Sequence, residues 1–247
     1  MRSLCNAALA LALVCAQTEA LPQLTPPPGA TQLPPQQLPV PSTGDAVPLL
    51  LPAPAAGESL SHAKPQGIYA TINLGGMESQ IRHLGQLIPT PRREAITAAI
   101  ANAPALAPPV LYALANAISQ DDDRIADAVF WFHVGRIRAV YDGLRCKDAS
   151  ARGEINVLGK GLSPDIGRYQ RQHRQQTLQI AELAIKWDQE HPRNYDHRWI
   201  NLYGKVAHDS EGTDPSEPSV PESEWPALLQ RVHEAHLKSV QEFAAGK

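Results

Sequence analysis

Twelve of the chain's 23 prolines fall between Leu21 and Pro65, and that concentration decides where a packed domain can lie. Clusters such as Pro26-Pro27-Pro28 and Pro34-Pro35 remove backbone donors and favour polyproline II. Asp45, Glu58 and Lys64 are the only charges in the block. Residues 21–66 are therefore expected to be a disordered proline-rich tether, semi-rigid and extended. At about 3.1 Å per residue, some 45 residues could reach on the order of 140 Å. Any fold must come from residues 67–247, which is length enough for one sizeable core.

The stretch before the tether reads as an export signal. Arg2 supplies one positive charge, an apolar run begins near Ala7 and includes Leu9 to Val14, and Thr18-Glu19-Ala20 offers small residues at a cleavage site. The run is far short of the roughly 20 residues that a membrane-spanning helix needs. Residues 1–20 are thus expected to be a signal peptide, cut after Ala20, and the protein to be periplasmic or secreted. Val14 and Leu13 ahead of Cys15 argue against a lipid anchor there. Cleavage removes Arg2 and Glu19, which cancel, so the formal charge stays at -3. That balance points away from nucleic acid and from an anionic membrane as main partners. Loss of Cys5 and Cys15 leaves Cys146 alone, so no internal disulfide framework is expected, and a buried thiol is the favoured reading.

From residue 67 the pattern is helical, and the fold class expected is all-α: one irregular domain of five or six helices. Gly67 to Asn73, with its β-branched residues, reads as a short strand or an extended lead-in. Thr90-Pro91 opens a helix that Pro104 ends, and Pro108-Pro109 opens a second, Val110 to about Ser119. Asp121-Asp122-Asp123 places negative charge at the start of a third helix, about Arg124 to Arg145. Its stripe is Phe130, Val134, Ile137, Tyr141 and Leu144. Trp131, Gly135, Arg138, Asp142 and Arg145 fall on the other side, where Arg138 and Asp142 are spaced to pair. A long helix runs from Ser163-Pro164 to about Gln189, and a last one from about Pro226 to Phe243. The acidic, proline-bearing stretch of about 208–224 is expected to be a mobile loop.

Leu111-Tyr112-Ala113-Leu114-Ala115, the acidic turn, and Ala128-Val129-Phe130-Trp131-Phe132 together resemble one helical hairpin of the tetratricopeptide or Sel1-like kind. The resemblance covers residues 110–145, and no second copy follows at a period of 34 to 40 residues. What it implies is a protein-binding helical surface.

Four groups carry possible chemistry. Trp131 with Arg136, Arg138 and Arg145 has the composition of a binding hot spot; the alternative is that Trp131 packs under a neighbouring helix. Gly135 in mid-helix marks a close approach. His191 to Trp199 is the densest polar and aromatic stretch. Asp188, His191, Asp196 and His197 fit no zinc spacing, although a histidine near Asp196 could act as acid or base. The simpler reading makes Tyr195, Asp196, Arg198 and Trp199 anchors, with Asp196 and Arg198 paired. Glu78-Ser79 resembles the Glu-Ser pair of lytic transglycosylases, but Asn73-Leu74-Gly75-Gly76 before it does not read as a helical run, and the family's downstream glycine-leucine-methionine-glutamine pattern is absent. His233-Glu234-Ala235-His236 falls one residue short of a zinc motif, and His236 sits in the apolar stripe of the last helix, which favours a core histidine. No phosphate loop, metal site or cofactor is expected.

Two functions stand at this level. One is a non-catalytic exported module that binds a protein partner through Trp131, Arg136, Arg138 and Arg145 or through His197, Arg198 and Trp199. The other is a cell-wall hydrolase using Glu78, or Asp196 with His197.

Overall fold

A computed structural model describes residues 62–209 and 218–246 of the chain. Residues 1–20, expected to be a signal peptide, residues 21–61 of the expected tether and residues 210–217 of the acidic stretch lie outside them. The described part is all-α, with nine α-helices joined by short 3-10 turns and no strand among the described residues. They are α1 (Leu74–Leu84), α2 (Pro89–Ala101), α3 (Pro108–Ile118), α4 (Ile125–Arg145), α5 (Gly153–Lys160), α6 (Pro164–Gln172), α7 (Arg174–Glu190), α8 (Lys205–Asp209) and α9 (Trp225–Ala244).

Four departures from the sequence reading have local causes. Gly67 to Asn73 is a 3-10 turn, Gly67–Tyr69, and an irregular lead-in; Gly67 has φ +54. Next, α1 forms across Gly75 and Gly76 because the Asn73 side chain caps it, accepting from the Gly76 N–H at 2.8 Å. The expected 163–189 helix is two helices that part at His173, where the backbone leaves helical space (φ -124, ψ 51). Finally, residues 218–220 are docked rather than loose. Lys147 N–H donates to Pro218 O (3.0 Å) and Val220 N–H to Arg145 O (2.8 Å), with Cys146 and Ser219 paired in an isolated antiparallel bridge. Cys146 is a buried free thiol.

Helix α4 is the axis of the domain. It packs against α3, α6, α7 and α9, and most extensively against α3. The pairing with α3 is close at Gly135, where a Cβ would stand 3.1 Å from Tyr112 Cδ2 and 3.2 Å from Leu111 Cβ. Beyond its first turn, where Asp127 is exposed, neighbours on several sides leave α4 little solvent face. Val134, Ile137 and Tyr141 are buried, and so are Trp131, Arg136, Arg138, Asp142 and Arg145. The side expected to be open is therefore core, and its charges must find partners inside the fold.

Candidate functional site

Those charges are met by polar groups that α7, α9 and the segment after α7 bring to α4. Arg138 and Asp188 are both fully sealed, with Arg138 Nε donating to Asp188 Oδ1 at 2.9 Å. Arg193 Nη2 donates to Asp188 Oδ2, and His233 Nε2 reaches the same oxygen at 2.9 Å. Burial pushes the Asp188 carboxyl up, but the His233 hydrogen bond and the charges of Arg193 and Arg138 outweigh it and hold it below the usual aspartate range. Arg138 also donates to Pro104 O (3.3 Å) and Pro192 O (3.2 Å), and its guanidinium lies 5.0 Å from the Trp187 ring centroid. One side chain of α4 thereby pins the α2–α3 connection and the turn after α7. The expected Arg138–Asp142 pair is replaced by Arg138–Asp188: Nε meets the carboxylate that α7 supplies, and the other two nitrogens turn to backbone carbonyls.

Asp142 forms the second nest. It takes Arg145 Nη2, Trp199 Nε1 (2.8 Å) and Tyr195 Oη (3.3 Å). Here burial dominates and raises the carboxyl pKa, opposed by Arg145 and the Trp199 hydrogen bond. The Arg145 guanidinium lies over Tyr141 (4.2 Å) and Trp225 (4.7 Å), tying the end of α4 to the start of α9.

The third cluster faces α3 and α9. His133 Nδ1 and His236 Nε2 are 3.0 Å apart, both rings buried. Burial first, and the Arg136 charge second, lower His133 to about 3. His236 is pulled well below its ordinary range by burial, then by His133 and Arg136. Arg136, 7% exposed, makes no ion pair with any carboxylate among the described residues. Burial raises the Tyr112 hydroxyl, opposed by the Arg136 charge and a hydrogen bond with Arg136, and His133 Nε2 is buried without a hydrogen-bond partner.

The residues singled out from sequence thus divide. Trp131 packs edge-on to Phe130 and Trp187 (centroids 5.1 and 5.3 Å), so it lies under a neighbouring helix. Arg136, Arg138, Arg145 and Trp199 are buried, and none of them offers an open hot spot. His197 is half-buried, its Nε2 3.0 Å from Ser219 Oγ; burial, then Arg145, lower it to about 4. Arg198 forks onto Asp196 as expected and also donates to Ile68 O (2.6 Å) and Thr71 Oγ1 (2.8 Å), fastening the lead-in to the domain. His233 and His236 are core histidines. Asp188 as hub, Asp142 as acceptor, Arg193, and the His133–His236 pair were missed as a network. A signal existed for Asp188: it continues the buried series Thr177, Ile180, Ala184 of α7 at the next helical step.

The open surface is different in kind. Leu87 and Ile88, in the α1–α2 connection, are 88% and 65% exposed. Beside them on α2 lies a shallow depression of about 490 Å³ lined by Thr90, Arg93, Glu94, Thr97, Ala98 and Ala101. A separate group gathers around Tyr203. His62 Nε2 is 3.5 Å from Glu78 Oε1, and the His62 and Tyr203 rings meet edge-on at 5.8 Å. Burial, then the charges of Glu154 and Glu78, raise Tyr203 to about 12, while burial lifts Glu154 to about 7. Among the described residues no three His, Cys, Asp or Glu side chains are grouped to hold a metal ion, and no helix is long and apolar enough to cross a membrane. No family model, curated protein or solved structure matches the chain.

Proposed function

We propose that this chain is an exported, non-catalytic helical module that binds a protein partner in a bacterial envelope, in an accessory or immunity-type role. The observation that carries the reading is the corner made by Leu87 and Ile88. Two large apolar side chains stand adjacent in solvent, beside a shallow depression on α2. Exposed adjacent apolar groups rimmed by polar ones are the mark of a docking surface. By contrast the arginines and aspartates of α4 are engaged in holding helices together. The partner surface therefore moves from Trp131 and Arg138 to the α1–α2 corner. The α3–α4 hairpin, which resembles a tetratricopeptide unit, gives the module a rigid frame. Export rests on the pattern of the first 20 residues.

The test is capture from the native envelope with the full chain, wild type against a Leu87→Asp, Ile88→Asp double variant of unchanged melting temperature. A partner held by wild type and lost by the variant supports the reading. Equal capture by both removes the corner as its basis.

The hydrolase reading keeps one specific observation. Glu154 is lifted by burial to about 7, the range of a general acid, and it shares the Tyr203 neighbourhood with Glu78. Cell-wall digestion abolished by both Glu154→Gln and Glu78→Gln would replace the binding module with an enzyme.

A further inference from the structure

We propose that the outer face of α2, headed by Leu87 and Ile88, docks a second copy of this chain, the two α2 helices lying parallel about a two-fold axis. This names the occupant of the Leu87–Ile88 corner and rests on the reading of that corner as a docking surface.

Helix α2 leaves one side without cover. Arg92, Ile96 and Ala99 face inward and hold it to the domain. Thr90, Arg93, Glu94, Thr97, Ala98 and Ala101 are all exposed. The outer face is therefore charged only near its start and carries small side chains from Thr97 to Ala101, where a solvated helix face ordinarily carries polar and charged ones. Leu87 and Ile88 stand just before it, 88% and 65% exposed. Their backbone is held firmly. Arg92 Nη1 donates to Gln86 O (3.3 Å) and Leu87 O (3.4 Å), and Arg92 Nη2 lies 3.7 Å from Asp121 Oδ1. The buried guanidinium fixes the segment that presents the two apolar side chains, so less freedom is lost when they dock.

The charges point to the occupant. Arg93 and Glu94 are exposed, and neither is in an ion pair among the described residues. Being adjacent, they project about 100° apart, one on each flank of the line through Thr90, Thr97 and Ala101. A two-fold axis along the helix sets the left flank of one copy against the right flank of the other. Arg93 of each copy then meets Glu94 of the other, and the symmetry makes the contact twice. An antiparallel pair would set Arg93 against Arg93 and Glu94 against Glu94. The parallel arrangement also gathers Leu87 and Ile88 of both copies at one end, where four apolar side chains leave water together. At the other end Thr97 and Ala101 meet their own copies, and their small size allows close approach. The same surface thus supplies both halves of its complement. From Thr90 to Ala101 the helix rises only about 17 Å. One helix face of that length falls below the standard interface size, so a weak dimer is expected, with Kd about 0.1 mM.

The experiment is sedimentation equilibrium of the full chain from about 10 µM to about 1 mM at low salt, where exposed charges act most strongly. Wild type should pass from monomer to dimer over that range. Arg93→Glu and Glu94→Arg should each weaken association about tenfold, because each reversal turns two attractive pairs into two repulsive ones. An equimolar mixture of these two variants should associate again. Leu87→Asp with Ile88→Asp should leave a monomer throughout. All of these positions are exposed, so the variants keep the fold, and unchanged melting temperatures check it. Wild type that is still monomeric at about 1 mM overturns the proposal, as does a dimer that survives the corner variant or a mixture that fails to associate. The corner itself is judged separately by capture from the envelope. A monomer that captures a different protein through Leu87 and Ile88 removes the second copy and keeps the docking surface, whereas a monomer that captures nothing through them removes both.

Discussion

Two sides of α4 solve the same problem differently. Toward α7, Arg138 meets Asp188, and three donors saturate that carboxylate. Toward α3, Arg136 meets Tyr112 and His133 and makes no ion pair with a carboxylate among the described residues. The first arrangement is structural: it joins four segments of chain, with two guanidiniums sharing the one carboxylate. The second sets a guanidinium against neutral polar groups and no carboxylate among the described residues. The contrast teaches that burial alone does not say how a charge is met; the partners that neighbouring segments supply do.

The largest expected effect comes from breaking the side toward α7. Arg138→Ala leaves Asp188 short of a partner and frees Pro104 O and Pro192 O, so a loss of about 3–5 kcal/mol in urea denaturation is expected. Asp188→Ala should cost a similar amount, and the double variant should cost less than the sum of the two.

Acid comes next. His133, lowered to about 3, and His236 bind protons only after unfolding as pH falls below about 6.5, so their contribution is full above that pH and is lost below it. Asp142, raised in the folded state, works the other way for one proton. His197 (lowered to about 4) and Glu154 (raised to about 7) are of opposite sign and both partly open to solvent, so they roughly cancel. The two histidines outweigh Asp142, so protons are taken up on unfolding and stability should fall as pH drops from 6.5 to 4.5, by at most about 2.7 kcal/mol per pH unit. A flat urea midpoint over that window would show that the His133–His236 pair is not buried neutral.

Asp142→Asn keeps the acceptor for Trp199 and removes the charge facing Arg145; a loss of about 2 kcal/mol is expected by the same denaturation. Arg136→Met sharpens the contrast most directly. It should leave the protein as stable or more stable, against a loss of several kcal/mol for Arg138→Met, because it removes a charge that faces no carboxylate among the described residues. Leu87→Asp with Ile88→Asp should move stability least, within about 0.5 kcal/mol, since both side chains are already in water.

Much of the frame was legible. Proline marked the starts of α3 and α6, with the Ser163 side chain capping α6; α2 begins at Pro89, ahead of the expected Thr90 cap, and has no side-chain cap. Gly135 marked the approach of Tyr112 and Leu111, and the Asp196–Arg198 pair followed from its place in a dense polar loop. Helix α1 was hidden because Gly75 and Gly76 oppose a helix by propensity, and the Asn73 cap overrides them only in context. The break at His173 left no punctuation, since neither glycine nor proline stands there. The site was harder for a general reason. Periodicity assigns a residue to a face, but it does not say that neighbours will cover every face of α4, nor that Asp188, fifty residues beyond Arg138, will be the carboxylate it meets.

The Cys146–Ser219 bridge has a kinetic use. The Cys146 thiol is buried and pushed up to about 11 by that burial, so little thiolate exists near neutral pH while the strap of residues 218–220 stays in place. Alkylation there can proceed only as fast as the strap lifts. The rate of Cys146 labelling in native buffer is thus a clock for the detachment of this strap, and its response to Asp142→Asn would tell whether the end of α4 opens separately from the rest or only when the whole domain comes apart.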